Sequence, residues 1–252
     1  MRVTIARADL ARIITGTIKA VEARNTIPIL SHVLLTAADG KLTATATDLD
    51  IQITASSPAT VESDGATTVS AHLLNGIVSK MPAGAEILLA LTDGTLTVTS
   101  GRSRFKLQVL PASDFPEMAP VKYAAEFKID LHRLVSPIAF AISNETARYY
   151  LNGVYLHTVN GELKAAATDG HRFALNRTPP DAEFAGIIMS AKTVSLVPQG
   201  EIGFAVSDTK IKITAADWEM ESKLIDGTYP DYERIIPTKN DKLITVDNGT
   251  MR

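Results

Sequence analysis

Asp169, Gly170, His171 and Arg172 stand together in the stretch Ala-Thr-Asp-Gly-His-Arg-Phe-Ala-Leu (167–175), in a chain that has only five histidines. A carboxylate two residues from an imidazole is material for general acid–base catalysis or for a metal site. Either use needs further converging groups. The other histidines, at 32, 72, 132 and 157, show no ligand spacing, and neither a His-Glu-x-x-His pair nor a Gly-x-Ser-x-Gly elbow occurs. The absence of cysteine removes disulfides, zinc–thiolate sites and a cysteine nucleophile. These residues therefore point first to recognition. A small hydrolase centred on Asp169 and His171 is the rival reading.

The elements that must hold this stretch occur twice. Residues 29–50 align without a gap on residues 150–171, at an offset of 121. Leu30, Val33, Leu35, Gly40 and Leu42 fall on Leu151, Val154, Leu156, Gly161 and Leu163, and Ala46-Thr47-Asp48 falls on Ala167-Thr168-Asp169. Asp39-Gly40 and Asn160-Gly161 between alternating apolar runs predict hairpins. Before each block, one face of a helix is apolar: Leu10, Ile13, Ile14, Thr17, Ile18 and Val21, then Leu131, Leu134, Val135, Ile138 and Ile142. Pro137 should kink or shorten the second of these. After each block come further alternating strands, and each copy closes on an aromatic-Pro step, Phe115-Pro116 and Tyr229-Pro230. A second helix predicted at 70–87 spans about three turns, but its counterpart at 190–202 spans barely two, so the second copy lacks a few residues there.

Two α+β domains follow, at 1–120 and 121–240. Leu243, Ile244 and Val246 suggest that 241–252 begins a third. The shared Thr-Asp reads as a repeated turn in which the Asp side chain accepts from backbone N–H groups. The first copy lacks the Gly-His-Arg-Phe that follows, so that part is what distinguishes the second copy.

Net charge is −3, which argues mildly against a uniformly basic nucleic-acid binder. The four helical segments nevertheless carry +3, from Arg7, Arg12, Lys19, Lys80, Arg133 and Lys192 against Asp9, Glu22 and Asp130. The remainder is therefore acidic. The opening residues contain no apolar signal region and no run is long enough to span a bilayer, which fits a cytoplasmic protein without membrane contact.

Six stretches carry a resemblance: "RNTIPILSHVLL", "ATDLDIQI", "GRSRFKLQVLPASDFPEM", "RYYLNGVYL", "ATDGHRFAL" and "DGTYPDYERIIP". Together, and in order along the whole chain, they resemble the bacterial DNA polymerase III β subunits, the β sliding clamps. The resemblance implies a non-enzymatic processivity factor of tandem clamp domains, three per full-length subunit, with helices lining a bore and sheets outside. Two subunits would close a homodimeric ring around duplex DNA without reading its sequence, and no cofactor is expected. It also implies partners that dock short linear motifs: the polymerase III α subunit, clamp-loader subunits, other polymerases and repair proteins.

By the same resemblance the peptide pocket would comprise Leu151, Thr168, Gly170, His171, Arg172, Phe173, Pro230, Arg234 and Ile235. Leu151, Phe173, Pro230 and Ile235 would form an apolar cup, with Arg172 and Arg234 at its rim. Where the family usually has Leu, this chain has Phe173. Arg24, Tyr149 and Tyr150 match DNA-contacting positions, although for Tyr150 packing is the favoured reading, and Glu145 stands where the family has His- or Gln-type residues. The helical cations would add to the DNA face. Arg102, Arg104, Phe105 and Leu107, on an edge strand, would meet the neighbouring subunit. A peptide-binding scaffold without a DNA role is the second rival.

Overall fold

A computed structural model describes residues 1–22, 26–179, 183–237, 239–242, 244–247 and 249–251. The first copy runs β1 (Arg2–Ala6), α1 (Arg7–Thr17), β2 (His32–Ala38), β3 (Lys41–Thr47), β4 (Ile51–Pro58) and β5 (Thr60–Ser63). It continues through β6 (Gly65–Ser70), α2 (Ala71–Ser79), β7 (Glu86–Thr92), β8 (Thr95–Ser100) and β9 (Ser103–Leu110). The second copy repeats the order with β10 (Ala125–Ile129), α3 (Leu131–Val135), β11 (Gly153–Val159), β12 (Glu162–Thr168) and β13 (Phe173–Thr178). Its remaining elements are β14 (Ile187–Ser190), α4 (Ala191–Leu196), β15 (Ile202–Val206), β16 (Lys210–Ala215) and β17 (Trp218–Lys223).

Each copy makes two four-stranded antiparallel groups with helices against their inner faces. They are β4-β3-β2-β6 with β1-β7-β8-β9, and β13-β12-β11-β14 with β10-β15-β16-β17. Alternation explains the inner faces. Val33, Leu35 and Ala37 on β2, and Leu42, Ala44 and Ala46 on β3, are fully buried against Leu10, Ile13 and Ile14 of α1. Burying each of those three helix side chains contributes about 1.5–3 kcal/mol. Thr17, on the same stripe, satisfies its buried hydroxyl by donating to the Ile13 carbonyl at 2.9 Å. Both predicted hairpins form: Asp39 and Gly40, then Asn160 and Gly161, all take positive φ, as a primed two-residue turn requires.

The second copy's helices are short. Asp130 caps α3 by accepting from the Arg133 amide at 3.0 Å, but after five residues the chain tightens into a 3-10 turn over Ser136–Ala141, with Pro137 near its start. Its α4 has six residues where α2 has nine. Tyr149 and Tyr150 lie in a 3-10 turn, Tyr149–Leu151, and do not open a strand. At 241–251 the described residues form no strand, and Leu243 lies outside them.

The copies join edge to edge. β17 pairs antiparallel with β4 from Trp218↔Ala55 to Ser222↔Ile51, so one sheet runs on from the second copy into the first. Side chains fasten this junction. Arg12 of α1 pairs with Asp217, and Lys192 of α4 pairs with Asp48, whose side chain is only 7% exposed. Lys223 also reaches Asp50 at 3.1 Å.

Candidate functional site

The turn after β12 is built as its repeat predicts. The Thr168 hydroxyl donates to the Arg172 carbonyl at 2.7 Å and accepts from the Gly170 amide at 3.1 Å. Asp169 Oδ1 accepts from the amides of His171 (2.9 Å) and Arg172 (3.0 Å). In the first copy Thr47 bonds the Ile51 carbonyl and the Leu49 amide, and Asp48 accepts from Asp50 and Ile51. Those backbone donors, with the Arg172 guanidinium, hold the Asp169 carboxyl down at about 2. A carboxylate so engaged is a poor general base, and His171 has only its backbone amide in this network. Among the described residues no group of three or more His, Cys, Asp or Glu is placed to hold a metal.

Gly170 sits at φ +89, but Leu49 takes φ +81 at the same place, so conformation alone does not demand glycine. A Cβ at 170 would lie 2.6 Å from the Arg148 guanidinium, so a side chain there would push that flexible group aside. Arg148 donates to the Asp169 carbonyl and, through two nitrogens, to Glu145 at 2.9 and 2.8 Å. Glu145 therefore neutralises the cation next to the tyrosine pair.

The outer face of the β13-β12-β11-β14 sheet carries a second apolar cluster of Leu151, Ala166, Ile188, Tyr229 and Tyr232, with Tyr150, Tyr155, Phe173, Ile225 and Ile236 packed on it. The segment after β17 lies across it. Tyr232 stacks on Phe173 at 5.1 Å between centroids and meets His157 Nε2 at 2.7 Å; Tyr155 and Tyr229 stack at 4.8 Å. Burial raises Tyr229 and Tyr232 to about 12 and lowers His157. Leu151 and Phe173 are thus brought together as a floor. Pro230, Arg234 and Ile235 stay exposed in the same strap, Ile235 at 60%. The spacing of Tyr229 and Tyr232 gave no hint of this aromatic layer. Alternation along β11 was the available signal.

Arg172 departs from its expected place at the rim. Phe173 faces outward, so its chain neighbour faces the helices. There the Arg172 guanidinium is held by Asp169 at 2.9 Å and lies 5.4 Å from the Phe140 ring centroid.

On the helical face, the expected cations divide. Arg7 donates to the Val78 and Ser79 carbonyls at the end of α2, and Arg12 and Lys192 are engaged at the junction, so their charges are already matched within the chain. Lys19, Lys80 and Arg133 are exposed, with no acidic partner within 4 Å among the described residues. Tyr149 is 53% exposed and Tyr150 packs inward; Arg24 lies outside the described residues. Arg102, in the turn before β9, and Arg104 and Phe105 on β9 are exposed, along a stretch that β6 does not reach, since it pairs β9 only at Val109 and Leu110. Leu107 differs from its strand neighbours: it is 5% exposed and sits opposite Leu96, so most of its side chain is committed to this domain's own core.

Two tandem copies joined through one sheet, with helices inside, define a clamp-type architecture. The profile of the DNA polymerase III beta subunit N-terminal domain matches residues 1–119, and that of its central domain matches residues 128–231. The beta sliding clamp of Caulobacter vibrioides is 43% identical, across 98% of this chain and 72% of its own length. A Caulobacter crescentus pol III beta structure superposes with a TM-score of 0.94 at 41% identity, covering all of this chain and 73% of that one. The Bartonella birtlesii clamp, solved bound to griselimycin, gives 0.92 at 39%, covering 96% and 69%. The chain belongs to the bacterial DNA polymerase III β-subunit family of sliding clamps, which are non-catalytic; the hydrolase reading is set aside.

Proposed function

We propose that this chain contributes two domains, 1–120 and 121–240, to a ring around duplex DNA, and that it tethers partner proteins through the outer face of the second. The observation that carries the ring is the β17–β4 pairing. By the repeat, β9 is the counterpart of β17 and β13 the counterpart of β4; β13 ends its sheet, and β9 is paired by β6 only at Val109 and Leu110, which leaves the rest of that side without a strand. An interface of this head-to-tail kind propagates until it closes. In the full-length subunit a third domain would extend β13, and β9, with Arg102, Arg104 and Phe105, would meet the neighbouring subunit of a homodimer. Lys19, Lys80, Arg133 and Arg24 would supply a weakly positive bore that contacts phosphates and reads no bases.

The docking site is the floor of Leu151 and Phe173, bounded by Thr168, Gly170, His171, Pro230, Ile235 and Arg234. It suits a short peptide with a Leu or Phe anchor, as polymerase subunits, clamp-loader subunits and repair proteins working in a bacterial cytoplasm would present. A test titrates a Leu/Phe-containing clamp-binding peptide against the chain and its Phe173→Asp variant. The expected loss is at least tenfold. Equal affinity would remove the site from the outer face, and duplex retention on circular but not linearised DNA by the full-length ring tests the topological reading separately.

A further inference from the structure

The helical segments of the two copies correspond residue for residue at the offset of 121. Buried Leu10, Ile13, Ile14 and Ala20 become buried Leu131, Leu134, Val135 and Ala141, and exposed Arg12 becomes exposed Arg133. At the last exposed place in this series Lys19 becomes Phe140, which is 58% exposed. A guanidinium stands beside that ring from another element, although its charge is matched by Asp169. Arg172, delivered by the turn before β13, lays its guanidinium over the Phe140 ring, and Asp169 fixes its Nε. Its two terminal amino groups have no partner among the described residues. A cavity of about 330 Å³ opens beside the pair, lined also by His132, Asn144 and Ser195.

We propose that Phe140 and Arg172 form a stacking platform for an unpaired base of single-stranded DNA. This rests on the reading of the helical layer as DNA-facing, and the platform is continuous with that layer. A duplex presents phosphates to such a face, and a lysine, as at Lys19, serves them. Phe140 has nothing to offer a phosphate, but an exposed aromatic ring with an adjoining guanidinium matches a splayed base and the phosphate next to it. The ligand is then the single strand beside a primer–template junction, held weakly enough for a ring that must slide.

The test uses fluorescence anisotropy at low salt, with dye-labelled oligothymidylate and a duplex of equal length, on the 252-residue chain. Loss of one base's stacking corresponds to about tenfold. Phe140→Ala should weaken oligothymidylate binding by about that factor and leave duplex binding unchanged, while Phe140→Trp retains both. Photocrosslinking with 5-iodouracil in the oligonucleotide should label Phe140. Equal weakening of both DNA forms, no weakening, or labelling elsewhere overturns the proposal. Absence of duplex binding by the unaltered chain would instead overturn the DNA-facing reading beneath it.

Discussion

Asp169 and Gly170 do structural work that their chemistry disguises. With its carboxyl at about 2 against an ordinary 3.8, Asp169 is ionised in the folded turn wherever the unfolded chain would begin to take up a proton. Its contribution is therefore complete above about pH 4 and is lost as pH falls towards 2. NMR titration should show the His171 and Arg172 amides moving with a midpoint near 2, and Asp169→Asn should abolish that transition. Gly170→Ala should displace the Arg148 guanidinium and add about 1 kcal/mol of left-handed strain, lowering the melting temperature by a few degrees and weakening peptide binding. The turn was legible because it occurs twice: Thr-Asp is shared, and what is shared proved to be hydrogen bonding. The outward Phe173 and inward Arg172 were less legible, since both were grouped as pocket residues. Strand alternation separates them, and only the placement of Phe140 shows what Arg172 turns towards.

Among the elements, the strap after β17 holds the docking floor against the sheet through Tyr232. Removing its hydroxyl with Tyr232→Phe should cost about 1 kcal/mol, read as a melting shift of a few degrees, by ending the contact with His157. Burial, and then the nearby Lys164, lower His157 below its ordinary 6.5, so the fold prefers it neutral. Stability from this group is present above about pH 6.5 and declines as pH falls below it. Urea midpoints measured from pH 8 to 5 should decline, and less so in His157→Gln. The helices were legible by period, and Pro137 foretold the short α3. The charge count misled, because it treated every helical cation as available. Arg7 completes the end of α2, and Arg12 and Lys192 face acids contributed by the other copy, which no local pattern reveals. Lys192→Met should accordingly destabilise the chain by about 1–2 kcal/mol, by leaving Asp48 without its cation, and should barely change the salt dependence of DNA binding.

For the molecule as a whole, the repeat implied two like domains, and the structure adds how they are fused: a five-residue backbone ladder between β17 and β4, flanked by ion pairs. Amides of Ile51–Ala55 and Trp218–Ser222 lie in strands paired on both sides, and hydrogen exchange should find them among the slowest in the chain. That fusion has a mechanical consequence. A closed ring has to be pried apart before a strand can be threaded through it, and the work is spent wherever a seam is weakest. A seam within one polypeptide, laddered by backbone and cross-braced by Arg12 and Lys192, would resist that work more than a contact between separate chains. In such a ring the two domains would turn together as a single lever arm, and the gap would open beyond their ends.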